Sequence, residues 1–324
     1  MGATRRAMLG GLAAAALARG ASAQWVPERP LKLVVPYAPG GVTDQLGRAI
    51  AERLSRALGQ SVVVENRPGA NAMIGSQAVA QAAPDGLTLL MCSGASLVLN
   101  KLLHRRLPYD PDRDLLALAV MVETPLVMVV NPRLPVASVA EFVAYARRHG
   151  DALNYASVGL GNPVQLAAEL FRMAAGIEMT HIAYPGSAPA LTALIAGDVQ
   201  VMFDVVLTAL PFIRDDRLRA LAVTTRTRLP VLPDLPTIAE SGYPDYEAST
   251  WFGVAVPRAA PAPVAERLRA ALAAVQEDAD FRARFQALGL LMMPSRDAAG
   301  IAAHLAAERA RWGEVIRARG ITLD

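Results

Sequence analysis

Short apolar runs alternate along the chain with amphipathic runs, and this alternation predicts an α/β fold with a parallel sheet. The run LKLVVPY predicts a strand, and residues 43–58 predict a helix because leucine and isoleucine recur on one face. Gly59 ends this helix, since glycine tolerates the left-handed backbone that follows many helices. The runs SVVVE and LTLLMC predict the next two strands, with a helix over residues 73–82 between them.

The same alternation continues through the second half of the chain. The runs LVMVV, LNYAS, MTHIAY, VQVMFD and LRALAVTT predict strands. Ser138 and Glu141 predict a capping box for one helix, Pro163 begins a second helix and Gly197 ends a third. The run STWFGVAVP predicts a further strand, and helices with arginine-rich faces follow it. The proline-rich segment 229–244 shows neither helical nor strand periodicity, so we predict an ordered connector there.

The first 23 residues predict an export signal rather than part of the fold. They contain the pair Arg5 and Arg6, an apolar run of about ten residues, and Ala-Ser-Ala before Gln24. That run is about half the length that crosses a bilayer. The arginine pair and the weakly apolar core favour twin-arginine export, and a general secretory signal is the alternative. We therefore expect cleavage after about Ala23 and a mature protein in the periplasm.

Removal of the signal leaves a chain without net charge. Three of the 32 basic residues lie in the signal, so 29 remain against 29 acidic residues. No basic excess then argues for binding to nucleic acid or to an anionic membrane. The single cysteine, Cys92, excludes an internal disulfide. The longest later apolar run, 115–130, contains Glu123 and Pro125, so we expect a soluble mature protein.

The length of the mature chain, about 300 residues, predicts two domains. The chain is expected to cross between two α/β lobes near residues 124–131 and again near 248–257. The first lobe then comprises residues 24–123 and 251–324, and the second lobe comprises residues 124–250. Two crossings between two such lobes are typical of a clamshell binding protein.

Three predicted loops join the end of a strand to the start of a helix, where backbone N–H groups have no partner within the helix. The helix dipole adds about half a positive charge there, and glycine lets a ligand approach the backbone. Asn162 before Pro163 predicts one helix cap, and Ser187 predicts another. An anion is the natural occupant of such loops. The candidate binding residues are Tyr37, Ala38, Pro39, Gly40, Gly41, Thr43 and Asp44 in the first loop, Ser157, Gly159, Gly161 and Asn162 in the second, and Tyr184, Gly186 and Ser187 in the third.

The composition of the loops favours a carboxylate over a phosphate. None of them contains Lys or Arg, and neither the P-loop pattern nor the full G-x-G-x-x-G pattern is present. N–H groups, hydroxyls and ordered water are sufficient for a carboxylate. The alternative is that the loops are ordinary turns of an α/β fold.

Signals for catalysis are weak in this sequence. The four histidines lack metal-ligand spacing, and Cys92 has no partner for a zinc site. The run CSGAS does not match the G-x-S-x-G nucleophile elbow. Asp44 and Asp204 could act as a general acid and base, although Asp44 also fits the first turn of a helix. We therefore expect no catalytic residues, no metal and no cofactor.

The motifs of the chain, taken in order, resemble the Bug-type receptors. These are the extracytoplasmic substrate-binding proteins of tripartite tricarboxylate transporters. The resemblance lies in PYAPGGVTD, VENRPGANAMIG, PDGLTLL, YASVGLGN, AYPGSAPALTALIAGDVQVMFD, LPDLPTIAESG and TWFGVAVP. These motifs span nearly the whole mature chain, and as a set they are highly specific.

The resemblance implies a periplasmic-binding-protein clamshell of type II, with two α/β lobes joined by two crossing strands. It implies that one ligand carboxylate lies against loop 37–44, often through ordered water, and that loops 157–162 and 184–187 approach from the other lobe. Ser93 and Asp204 are implied to border the same cleft. The implied ligand is a small carboxylate or a related organic molecule.

The resemblance also implies the membrane subunits of a tripartite tricarboxylate-type transporter as partners. We expect a receptor that binds its ligand without transforming it and that is monomeric. An enzyme on the same fold, with Asp44 or Asp204 as base, is one alternative. A receptor that serves a sensor is another.

Two positions depart from the usual pattern of the family. Pro185 replaces a common lysine, and Gln165 replaces a common histidine just before Leu166. Both changes are expected to make the rim of the second lobe less cationic. These changes weaken the prediction of a tricarboxylate such as citrate and leave a monocarboxylate, an amide or a neutral aromatic acid derivative as candidate ligands.

Overall fold

The computed structural model describes residues 25–149 and 152–323. The predicted export signal, residues 1–23, lies outside the described residues. In chain order the elements are β1 (Leu31–Val35), α1 (Val42–Leu58), β2 (Val62–Asn66), α2 (Met73–Ala80), β3 (Thr88–Ser93), a π-helical turn (Ala95–Leu99), α3 (Asn100–Leu103), α4 (Pro111–Asp114), β4 (Leu115–Val130), α5 (Val139–His149), β5 (Asn154–Ser157), α6 (Pro163–Ala175), β6 (Thr180–Ala183), α7 (Ser187–Ala196), β7 (Val201–Val205), α8 (Val206–Arg214), β8 (Arg219–Val223), β9 (Ser249–Pro257), α9 (Ala262–Glu277), α10 (Ala279–Gln286), β10 (Leu291–Met292) and α11 (Ala298–Arg319).

Each lobe contains parallel strands with helical crossovers, as predicted. In the first lobe β1 lies between β2 and β3 and runs parallel to both. In the second lobe β5 lies between β6 and β7 and runs parallel to both. Helix α1 buries the apolar face that the sequence predicts and ends at Gly59, whose φ is 67°. The loops that follow β1 and β2 therefore share one edge of the first sheet, and those that follow β5, β6 and β7 share one edge of the second.

The long strand β4 runs through both sheets. As far as Pro125 it pairs antiparallel with β9, and from Leu126 it pairs antiparallel with β7 and β8. The sequence predicted only its second part, LVMVV, because Glu123 and Pro125 interrupt the apolar run. Both residues lie next to the point where β4 changes partners, so the interruption marks the crossing rather than the end of a strand. The lobe boundaries near residues 124 and 250 remain predictions.

Several short elements were not predicted from the sequence. They are the π-helical turn, α3, α4, α8 and the two-residue strand β10, which pairs with β4. Helix α8 follows β7 without a loop, so the run VQVMFD continues into it without a turn signal. Short elements carry too few turns of periodicity to be separated from loops.

The C-terminal helix α11 contacts both lobes. Glu308 is buried, and its Oε2 accepts hydrogen bonds from the indole N–H groups of Trp251 and Trp312, at 3.2 Å each. Eleven residues later, the Arg319 guanidinium donates to Glu169 on α6 at 2.8 Å. The helix therefore joins the crossing strand β9 to a helix of the second lobe.

The loop after β2 has an unusual backbone. Gly69, Ala70, Asn71 and Ala72 all have positive φ, and three of these residues carry a Cβ. Each such residue costs about 1 kcal/mol. Asn71 is held by reciprocal bonds with Asn100, since Nδ2 of Asn71 donates to Oδ1 of Asn100 at 3.1 Å and Nδ2 of Asn100 donates to the Asn71 carbonyl at 2.9 Å. These bonds offset part of the strain.

Replacement of Ala70 by glycine is expected to stabilise the protein. Ala70 is exposed with φ of 48°, so Ala70→Gly removes strain without loss of a buried contact. The expected gain is about 0.5–1 kcal/mol in the free energy of unfolding, measured by urea denaturation. The matched control is Ala78→Gly within α2, which is expected to lose about 1 kcal/mol because its backbone is helical. Equal losses in both variants would contradict the assignment of strain.

Candidate functional site

The first predicted loop, residues 37–44, is tied to the end of β3. The Tyr37 hydroxyl lies 2.9 Å from the Ser93 hydroxyl, and the Tyr37 ring meets Phe252 edge-on at 6.2 Å. Ser93 is buried and is closed into a turn by Ser96, whose hydroxyl donates to the Ser93 carbonyl at 3.0 Å. Burial raises the pKa of Tyr37 to about 12, so its hydroxyl stays protonated. Tyr37 and Ser93 are thus brought together, although they are 56 residues apart.

Asp44 holds the shape of this loop. Its carboxylate accepts hydrogen bonds from the Gly40 N–H at 3.0 Å, the Arg48 guanidinium at 3.0 Å and the Asn66 amide at 2.9 Å. Asn66 also donates to the Tyr37 carbonyl at 3.1 Å. Burial opposes ionisation of Asp44, but the bonds from Arg48, Gly40 and Asn66 together lower its pKa. Asp44 is therefore an ionised residue whose oxygens are bonded within the first lobe.

The start of α1 leaves backbone donors without partners. Gly41 is the N-cap residue, and no side chain caps the helix. In the described part of the chain, no acceptor bonds the N–H groups of Gly41, Val42, Thr43 and Asp44. Residues 38–41 are exposed, and Gly40 takes the left-handed backbone with φ of 88°. This helix start is open to an anion.

The second predicted loop, which follows β5, is closed by hydrogen bonds within the second lobe. The Ser157 hydroxyl lies 2.6 Å from Nε2 of His181, and Asn162 caps α6 by accepting from the Val164 N–H at 3.0 Å, as predicted. The Gly161 N–H donates to Oε1 of Gln165 at 2.7 Å. The expectation that Gln165 lies at the rim of the cleft is wrong, because its side chain is buried against the loop backbone.

The third predicted loop, which follows β6, is joined to the second and to β7. The Tyr184 N–H donates to the Ser157 carbonyl at 2.9 Å. Gly186 is the N-cap of α7, so the expectation that Ser187 caps this helix is wrong. The Ser187 hydroxyl instead donates to Oδ1 of Asp204 at 2.8 Å, because Ser187 lies within the first turn and β7 ends beside it.

Asp204 is a buried carboxyl group without a basic partner in the described residues. Its Oδ2 accepts from the Thr208 hydroxyl at 2.7 Å, and its Oδ1 accepts from Ser187. Burial raises its pKa to about 6, and the two hydroxyls only partly oppose this shift. Asp44 and Asp204 are each bonded to groups of their own lobe, so no hydrogen bond joins them as an acid and base pair.

One hydrogen bond between the lobes involves a residue that the sequence analysis missed. Nδ2 of Asn71 lies 3.5 Å from the Gly161 carbonyl in the second predicted loop. Asn71 belongs to the turn NRPGAN after β2, at the same edge as loop 37–44. The turn follows a predicted strand, and this position could have indicated that it lies near the cleft. The turn has no helix-capping residue, so the sequence pattern predicts only an ordinary turn.

Other features of the described residues give no competing site. A surface hollow of about 480 Å³ lies between α8 and the connector, with Pro132, Leu218 and Pro233 in its walls, and contains none of the predicted residues. Within residues 25–149 and 152–323, no group of three or more His, Cys, Asp or Glu side chains is placed to hold a metal. No helix of that part of the chain is long and apolar enough to cross a membrane.

Comparison with known proteins identifies the family. The tripartite tricarboxylate transporter family receptor matches residues 46–321. Protein BugT of Bordetella pertussis is 38% identical over 248 residues, which are 76% of this chain and 76% of that protein. A solved structure from R. palustris with adipate has a TM-score of 0.84 and 37% identity, over 91% of this chain and 99% of that one. MatC from Rhodopseudomonas palustris with bound malate has a TM-score of 0.80 and 33% identity, over 90% and 99%.

The chain therefore belongs to the tripartite tricarboxylate transporter receptor family. Its fold is the two-lobed α/β clamshell of periplasmic binding proteins with two crossing strands, which confirms the predicted fold class. Members of this family are periplasmic receptors, and the structural neighbours bind substrates rather than transform them. The enzyme alternative is therefore not supported.

Asp204 is expected to lower the stability of the protein as the pH rises. Its folded pKa of about 6 lies above the ordinary value of 3.8, so the folded state holds the proton more tightly than the unfolded state. The free energy of unfolding should then fall between pH 4 and 6, by an amount of the order of 2–3 kcal/mol from this group. Asp204→Asn should remove that fall, measured by urea denaturation across the range.

The control for this pH series is Asp198→Asn, which removes an exposed carboxylate from the same lobe. The difference between the pH dependences of the two variants gives the contribution of the buried Asp204 to the free energy of unfolding. The same pH dependence in Asp204→Asn as in the wild type would contradict the assignment of a raised pKa to Asp204.

Proposed function

We propose that this protein is a periplasmic receptor that captures a small carboxylate, or a related organic molecule, in the cleft between its lobes. One observation carries the proposal. Each lobe presents a helix start with no side-chain cap: α1 at Gly41 and α7 at Gly186. Among the described residues, no acceptor bonds the N–H groups of Gly186, Ser187 and Ala188, as at the start of α1. Two such starts offer donors to an anion from both lobes.

The charge of the loops supports a carboxylate as the ligand. Loops 37–44, 157–163 and 184–190 contain no Lys or Arg, so a phosphate would find no fixed cation within them. The neighbour from R. palustris holds adipate and MatC holds malate, and both are carboxylates. The candidate ligand residues are those predicted from the sequence, with Asp44, Ser157 and Asp204 acting through the loops that they hold.

Ligand capture is expected to close the lobes about β4 and β9. A ligand that contacts both helix starts stabilises the closed form more than the open form, and this difference in affinity drives closure. The closed form would then be recognised by membrane subunits of a tripartite tricarboxylate-type transporter. In this proposal residues 1–23 direct export, lobe 1 comprises 24–123 and 251–324, lobe 2 comprises 124–250, and the receptor acts as a monomer.

Gly41→Asp tests the first lobe of the site. The backbone at Gly41 has φ of −72°, and a Cβ there would meet only the Ala38 carbonyl at 3.8 Å, so a side chain fits. The new carboxylate would cap α1 and repel the ligand. We expect carboxylate affinity to fall about 100-fold or more while thermal stability is kept or rises. Native mass spectrometry of wild type and variant purified without refolding would compare the retained ligand.

The matched control for this variant is Gly41→Ala, which adds the Cβ but leaves the N–H groups unoccupied. It should retain the ligand mass that the wild type retains, and calorimetry with that ligand should give an affinity within about threefold. Undiminished binding in Gly41→Asp would remove the first loop from the site. A retained nucleotide in the wild type would overturn the carboxylate assignment.

Pro185→Lys tests the charge of the second lobe. Pro185 is exposed in the loop before α7, so a lysine there keeps its charge in solvent near the helix start. We expect dicarboxylates such as adipate to bind about twofold to fivefold more tightly, with a smaller gain at high salt. The control is Pro185→Gln, which adds length without charge. Equal affinities in the two variants would show that charge at this position does not affect binding.

A further inference from the structure

His181 is a half-buried polar residue beside the second predicted loop. It lies on β6, opposite Tyr155 on β5, and its Nε2 is 2.6 Å from the Ser157 hydroxyl oxygen. The same oxygen donates to the Gly159 carbonyl at 3.0 Å and accepts from the Gly159 N–H at 3.3 Å. A serine hydroxyl has one hydrogen to donate. We assign this hydrogen to the bond with the Gly159 carbonyl, and His181 is then the donor to Ser157 through an Nε2–H group.

These three bonds use the full capacity of the Ser157 hydroxyl, so it has no lone pair or hydrogen left for a ligand. The loop after it still offers backbone donors. Within the described residues, no acceptor bonds the N–H groups of Val158, Leu160 and Asn162. Ser157 thus shapes a loop whose backbone carries the binding groups.

The conformation of Gly159 is set by these bonds rather than by packing. Its φ is 130°, and a Cβ built there would meet no atom within 4 Å. A residue in open space is not held by its neighbours, so its peptide orientation depends on the two bonds to Ser157. Loss of the donor at His181 would free the hydroxyl to rotate and would loosen the loop.

The His181 ring also packs against a second residue, Tyr155. It stacks on Tyr155 with centroids 4.9 Å apart and an angle of 21° between the planes. The Tyr155 hydroxyl donates to Glu169, which also accepts from Arg172 at 2.8 Å and from Arg319 of α11 at 2.8 Å. Burial lowers the pKa of His181, with Glu169 and Arg172 acting in opposite directions, so the ring is neutral at pH 7.

We propose that His181 is a positioning residue for ligand binding, which donates to Ser157 and thereby fixes the backbone donors of residues 158–162 toward the cleft. This proposal rests on the proposed function in one respect, which is that loop 157–162 forms the second-lobe side of the binding site. His181 does not contact the ligand. Its effect on affinity passes through the Ser157 hydroxyl.

Three variants separate this role from general packing. His181→Phe keeps a ring against Tyr155 but has no donor, His181→Gln has an N–H group near the position of Nε2, and Ser157→Ala removes the receiving oxygen. Adipate is the probe, and its affinity is measured by calorimetry. We expect His181→Phe to bind about tenfold more weakly and His181→Gln to recover to within about threefold of wild type. Melting temperatures should stay close to that of the wild type.

A double-mutant cycle of His181 and Ser157 tests whether the two residues affect adipate affinity through the same hydrogen bond. Ser157→Ala should weaken adipate binding as much as His181→Phe, and the double variant should be no weaker than either single variant. Additive losses would overturn the proposal, because they would mean that the residues act separately. Failure of His181→Gln to recover binding while its fold is intact would also contradict a role as donor.

Two measurements without ligand distinguish failure of this proposal from failure of the proposed function. Nitrogen NMR of the histidines should find His181 protonated at Nε2 and not at Nδ1 at pH 7. Amide exchange of residues 158–162 should be faster in His181→Phe and restored in His181→Gln. The opposite tautomer, or unchanged exchange, overturns the positioning role. If both results are as expected but the wild type binds no carboxylate, the proposed ligand is wrong and the positioning of the loop stands.

Discussion

The pairing of β4 with different partners along its length is the constraint on which the rest of the structure depends. Its first part pairs with β9 and its second part with β7 and β8, so one strand sets the register of both sheets. Leu118 and Met121 belong to an apolar core within the first lobe, whereas Met128 and Val129 belong to a larger core that fills the second lobe and extends into the first. Residues 126–130 of β4 are all buried, so both faces of its second part lie in the core. The crossing is therefore specified by the cores on each side of it.

In both lobes, side chains at the edge of the sheet hydrogen-bond the loops that follow its strands, but the side chains that do so differ in charge. In the first lobe a charged group holds the loop, since Asp44 bonds Gly40, Arg48 and Asn66. In the second lobe the bonds within the loops are mostly made by uncharged groups, such as the pair of Ser157 and His181. In both lobes these side chains shape the loop, and backbone N–H groups at the helix starts have no acceptor among the described residues. Such donors recognise an anionic group but distinguish poorly among molecules that carry one.

The parts of this fold that the sequence predicts are those with a local signal. Helix α1 and the cap at Asn162 follow from periodicity and residue type, and both are present. The first part of β4 was missed because Glu123 and Pro125 mark a change of partner, which no local pattern encodes. Ser187 and Gln165 were misplaced for a similar reason, because their partners, Asp204 and the Gly161 N–H, are brought to them by the folded loop. Asn71 reaches across the lobes, and a contact of that kind depends on tertiary structure alone.

The distribution of charge around the loops bears on the kind of ligand. Arg48 balances Asp44 in the first lobe, so a carboxylate approaching the start of α1 meets little net charge and a set of N–H donors. In the second lobe, Asp204 is ionised above a pH of about 6 and has no basic partner in the described residues. Its oxygens are buried and accept from the Ser187 and Thr208 hydroxyls, so this carboxylate acts on the shape of the second lobe. These charged side chains of both lobes are therefore bonded within their own lobes, and the backbone N–H groups at the helix starts are the donors that the proposed carboxylate would meet.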